Sequence, residues 1–251
     1  MVETWVALFV FACLLGASLV AMYVSPVLPS RHRDEDTNNV VRLVANIFVV
    51  MTSLVFGLMI NSAKNTYAGI DSNIHAFATN LIILDRTLHN YGLGGVEARA
   101  RLVAYTEQAI ARPARADDAP DGKPDTAGAA LDRVGDALAA IQPADRYHEA
   151  VLVDARQQYQ RLVEQRWGII EQSEGDIPRP IVAMLVAWLT LIFGSFGYRA
   201  PHNIIVIASF AVAALLIAAA FYLVIDMNIP FAGTIQISDA PLLRALAEMR
   251  S

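Results

Sequence analysis

The chain has 251 residues, of which 55% are hydrophobic and only 17% charged, with a formal net charge of -5. So apolar a composition, gathered into runs, excludes an ordinary water-soluble domain and indicates an integral membrane protein. The acidic balance and the lack of a dense Lys/Arg run argue against nucleic acid as a partner, because neutralising phosphates needs a basic stripe.

In chain order, the first apolar run covers about residues 5–24, from Trp5 to Val24, and holds Cys13, the sole cysteine, which leaves no intrachain disulfide to make. Glu3 precedes the run and no Lys or Arg does, and the run is longer than a signal-peptide core of ~7–15 residues, so an uncleaved span is expected. The stretch Ser25 to Asn39, with Pro26, Pro29 and the acids Asp34, Glu35 and Asp36, reads as a turn. It lacks the glycine and later glutamate of a calcium loop. The second span covers about residues 41–60. From Leu43 to Ile60 it approaches the ~20 residues needed to cross a ~30 Å hydrocarbon core, with Asn46, Thr52 and Ser53 its strongly polar side chains.

No breaker separates this span from the stretch after it. Ile70, Ile74, Phe77, Leu81, Leu84, Leu88 and Tyr91 alternate at four and three, the seam of a helix packing against partner helices in water. One long helix is therefore predicted from Val40 to Tyr91, ended by Gly92-Leu93-Gly94-Gly95. A second soluble helix is predicted with Val96, Val103 and Ile110 inward. The stretch PARADDAPDGKPDTAG, Pro113 to Gly128, is expected to be a mobile loop. Helical spacing returns with Leu131, Val134, Leu138 and Ile141, and again from Asp145 to about Ser173 with Tyr147, Val151, Tyr159, Leu162 and Ile169 inward. Pro178 and Pro180 introduce a third span at about 181–198, and a short loop leads to a fourth at about 204–225. The tail, 227–251, closes on an amphipathic piece from Ser238 to Met249, with Leu242, Leu243, Leu246 and Met249 on one face.

The predicted fold is thus an all-α membrane protein. A first hairpin of spans occupies 1–61, a helical soluble domain 62–178, and a second hairpin 179–226. Four spans put the soluble domain and both termini on one side of the membrane. Charge does not choose which: Arg31, Arg33, Arg42 and Arg199 lie by the short loops, Lys64, Arg166, Arg179, Arg244 and Arg250 on the other side.

The stretches ANIFVVMTSLVFGLMINSAKNTY, LDRTLHNYG, FGSFGYRAPHN and PFAGTIQIS, in this order around four spans, resemble the bestrophin-like family of bacterial membrane proteins. The layout is similar to that of bestrophins, pentameric chloride channels whose second span lines the pore. The resemblance implies a homo-oligomer, a pentamer, conducting an inorganic anion in the bacterial inner membrane. It also implies that the soluble domain and termini are cytoplasmic. The tail departs from bestrophins in having no acidic cluster of the calcium-clasp kind.

Within the second span, Asn46, Val50, Ser53, Gly57, Asn61 and Lys64 recur at helical spacing and share a face. That face reads either as a pore lining, with Lys64 raising anion concentration at the mouth, or as a seam where small and polar residues hold helices together. In the tail, Asp226, Pro230, Phe231 and Gly233 are candidates for a turn or gate. Asp71 with His75, and Asp85 with His89, stand four apart on one face, and Asp85-Arg86 offers an ion pair. Solvated helix partners are expected there, and no metal or cofactor site. Lacking a nucleophile elbow, phosphate loop, cysteine pair or zinc-protease helix, the chain is not expected to be an enzyme. An oligomeric anion channel and a membrane-anchored helical sensor or scaffold remain as alternatives, separated by whether a ring of subunits puts the polar face at its axis.

Overall fold

The computed structural model describes residues 2–25, 35–111, 126–173, 178–198, 200–229, 231 and 234–251. Among them every regular element is helical. These are α1 (Val2–Val24), α2 (Glu35–Tyr91), α3 (Val96–Ala111), α4 (Thr126–Ala140), α5 (Arg146–Ser173), α6 (Arg179–Gly197), α7 (Ile204–Met227) and α8 (Ala240–Arg250). Four helices are long and apolar enough to cross a membrane: Glu3–Val24, the Asn39–Tyr91 helix, Pro180–Gly197 and Ile204–Met227. The predicted mobile loop lies outside the described residues, except that Thr126 to Gly128 already open α4. Most of the first predicted turn also lies outside them.

The chain divides into two compact units, Met1–Asn65 with Asp176–Asn228, and Thr66–Gly175 with Ile229–Ser251. In the first, α1 packs along both α6 and α7. Small residues allow the close approach: a Cβ on Gly197 would run into the backbone carbonyl of Ser18, a residue with no solvent exposure. Val10, Leu14, Met59, Leu185, Phe193, Ala214 and Phe221 form its core. Span residues of α2 join this core along one narrow edge, where Phe48 meets Trp188 and Phe56 meets Phe221 at ring-centroid distances of 6.2 and 5.0 Å.

The second unit is built on the predicted seam. Ile70, Ile74, Phe77, Leu81, Leu84, Leu88 and Tyr91 are all buried, each at 7% exposure or less. Gly92, at φ 83, turns the chain into a 3-10 turn at Leu93–Gly95 and then α3. Three inward assignments are corrected. Val96 and Tyr147 are exposed, and the buried positions of α3 and α5 include Leu102, Tyr105, Leu152 and Ala155. In both helices the apolar face is mixed with alanines and a buried Tyr or Gln, which shifts its centre from the line through the largest side chains. Leu243 of α8 is also exposed, while Leu242, Ala245 and Met249 pack in the same core as Phe231 and Ile237.

Candidate functional site

The face predicted from Asn46 to Lys64 lies on α2 opposite its buried edge. That edge is Ala45, Thr52, Met59 and Ala63, spaced seven, seven and four. Asn46, Val50, Ser53, Gly57, Asn61 and Lys64 are all exposed, and Val50 reaches 69%. The structure therefore keeps the six together on one side of the helix, and no described residue covers that side.

Chemistry varies along the stripe. Ser53 donates its hydroxyl to the Val49 carbonyl at 2.8 Å and so satisfies itself within the helix, as Thr190 and Ser209 do in their spans. Asn46 and Asn61 carry amides that lipid tails cannot partner. Such a group transferred without a hydrogen bond costs about 1–3 kcal/mol. Between them Val50 contributes only methyls. Gly57 has no atom within 4 Å of where a Cβ would stand, so its smallness serves no contact within the chain. Gly197, by contrast, is required by a neighbouring backbone. The sequence missed one feature of this helix: Thr52 Oγ1 is buried without a hydrogen-bond partner, against the inner edge.

The other candidates separate. Asp226 is buried at the end of α7, with an interaction of its own, and Phe231 is buried in the core of the second unit. Pro230 and Gly233 lie outside the described residues. Asp85 does not partner His89 or Arg86. It is 1% exposed and takes two hydrogen bonds from Arg99, at 2.7 and 3.2 Å, and Arg99 also donates to the Met249 carbonyl at 2.7 Å. Arg86 reaches Glu248 at 3.3 Å instead. The signal in the sequence was a carboxylate one position past Leu84 in a buried seam, where a charge must be paired. Asp71 and His75 do come together: His75 Nδ1 lies 3.0 Å from the Asp71 carbonyl oxygen and 3.8 Å from its carboxylate. Among the described residues no group of three metal-ligating side chains forms.

A family model described as the Bestrophin-like domain matches residues 12–242. No curated protein matches the chain. No solved structure matches it either.

Proposed function

We propose that this chain, which belongs to the Bestrophin-like domain family, is one subunit of an oligomeric channel for inorganic anions, with α2 lining the pore. The observation that carries the reading is the stripe from Asn46 to Lys64, polar at both ends and covered by none of the described residues. If small and polar residues were there to join spans of one subunit, a Cβ on Gly57 would meet a neighbour, and among the described residues it meets none within 4 Å. In a closed ring the stripe meets water and other copies. Asn46 would stand at one mouth, Val50 at an apolar constriction that gates by dewetting, and Asn61 and Lys64 at the other mouth. Conduction, and not catalysis, is the proposed activity.

The pentamer, the bacterial inner membrane, and a soluble domain inserted between the second and third spans on the cytoplasmic side are parts of the same proposal. The likeness in layout to bestrophins supports them.

Cysteines placed at Asn46, Ser53, Gly57 and Lys64 in a Cys13→Ser background test the reading. Soluble thiol reagents should modify them in the assembled protein and leave Leu14→Cys, on the buried face of α1, untouched. Lys64→Glu replaces a ring of positive charge by a negative one, so anion over cation preference in planar bilayers should fall or invert. The change should be largest at low salt, since screening at 0.1 M acts over ~10 Å. Purified oligomers that conduct nothing and protect these cysteines would return the chain to the sensor or scaffold reading.

A further inference from the structure

Independently of any pore, we infer that the second unit holds a binding site for a small, neutral, largely apolar molecule that carries an acceptor oxygen, as a ketone or an amide does. A cavity of about 510 Å³ opens between the end of α2, the turn after it, α3 and the last turn of α8. All of its walls belong to this one unit. Its volume falls within the ~300–1,000 Å³ of small-molecule sites.

The walls are apolar from rim to floor. Val96, Ala100 and Val103 are spaced four and three, so they set one face of α3 along the cavity. Leu88 and Met249, at 1% and 2% exposure, close the floor. Leu93 stands at the rim and is 96% exposed, more than any other large apolar side chain among the described residues, and Val96 beside it is 58% exposed. An apolar body seated there takes both side chains out of water.

Two polar side chains decide what else the molecule carries. Arg99 lines the cavity with a guanidinium held in place: Nε and Nη2 donate to the Asp85 carboxylate at 2.7 and 3.2 Å, and Nη2 also donates to the Met249 carbonyl at 2.7 Å. Nη1 has no partner among the described residues and is not buried, so its N–H groups are the donors left for an acceptor in the cavity. Asp85 already balances the charge of Arg99. A carboxylate would therefore give up its water for a neutralised guanidinium, whereas a carbonyl oxygen gives up far less for the same bond. His89 adds a second polar contact at the wall, its ring also unpartnered among the described residues. Because the walls come from α2, α3 and α8, an occupant ties the tail helix to the turn at Gly92 and favours the docked tail by mass action.

Benzophenone is the probe, a neutral apolar ketone that inserts into neighbouring C–H bonds under near-ultraviolet light. Irradiated with the purified full-length protein in detergent and mapped by mass spectrometry, it should mark Met249 and the segment from Leu88 to Val103. It should also mark the spans from within the micelle, and those adducts serve as an internal reference. Leu93→Asp, at an exposed position, and Val103→Trp, which fills the cavity, should each lower the first set at least about tenfold and leave the span adducts unchanged. Adducts confined to the spans, or undiminished marking of Met249 in Leu93→Asp, overturn the site. If Val103→Trp does not fold, Leu93→Asp decides alone. The anionic counterpart, 4-benzoylbenzoate, should need at least about tenfold more for equal marking, and equal potency overturns the neutral head group. In the dark, benzophenone should slow tryptic cleavage after Arg244 a few-fold in the wild type and not in Leu93→Asp. An unchanged wild-type rate overturns the tie to the tail.

Discussion

The two halves of α2 bury their side chains in two different patterns. In the half beyond Thr66 a seam closes every three or four residues, from Ile70 to Tyr91. Among the described residues of the half before Asn65, burial touches Ala45, Thr52, Met59 and Ala63, while Leu43, Ile47, Val50, Leu54 and Leu58 stand exposed. Water drives apolar side chains together, and a seam that closes at every turn is what it demands of a helix, Ile83 at 43% exposure notwithstanding, whereas lipid tails accept apolar side chains as readily as a neighbour does. Exposure therefore changes meaning along the helix. An exposed leucine in the first half is ordinary, and an exposed asparagine is the anomaly that calls for water or another subunit.

The comparison breaks most visibly by truncating a seam residue. Leu81 has no solvent exposure, and Leu81→Ala should destabilise the second unit by about 4 kcal/mol, a loss of transfer energy plus a cavity. Thermal melting followed by circular dichroism in detergent measures it, and a loss under about 1 kcal/mol would deny the seam its role. Slightly less, about 3 kcal/mol, is expected for Arg99→Met, which strands the buried Asp85 carboxylate. The double variant Asp85→Leu with Arg99→Met should recover much of that, because the penalty belongs to the unpaired charge. Both singles should also loosen α8, whose Met249 carbonyl accepts from Arg99, and so speed proteolysis of the tail.

The same contrast explains what was legible in the sequence. Period and run length are strong signals, so the four apolar helices and the seam from Ile70 to Tyr91 could be read directly. The inward faces of α3 and α5 could be read only in part, because alanines and a buried Gln158 carry some of the burial while Val96 and Tyr147, which the spacing placed inward, stand exposed. Pairing across the chain was equally hidden. Asp85 has Arg86 and His89 at helical reach, yet its partner is Arg99, which the turn at Gly92 brings back alongside it. The polar stripe of the second span was legible as a face. Its lack of cover was not, since spacing says which residues stand together and never what stands opposite.

A smaller effect tests the edge of the second unit. Asp145 precedes α5 and accepts from the His148 backbone N–H at 2.9 Å and from its ring Nδ1 at 2.8 Å, an N-terminal cap. These bonds hold its carboxyl below the usual aspartate range, the backbone bond most of all. A depressed carboxylate stabilises the fold above its unfolded pKa and loses that contribution as pH falls through the folded value. Asp145→Ala should therefore lower the melting temperature slightly near neutrality and hardly at all in strong acid. An equal loss at both would mean that the charge plays no part.

The smallest effect is the sharpest test of the membrane half. Leu54 is 66% exposed on α2, so Leu54→Ala removes methyl groups that its own subunit scarcely touches. If lipid surrounds it, the tails simply fill in, and stability should change by less than about 0.5 kcal/mol. Leu54 nevertheless lies next to Ser53, on the flank of the stripe, where a neighbouring copy in a ring would rest. In that case the second unit should melt as before while the detergent concentration that dissociates the oligomer falls. Measuring both in one variant separates the two kinds of cover: an unmoved dissociation point assigns this flank to lipid, and a moved one assigns it to the next subunit.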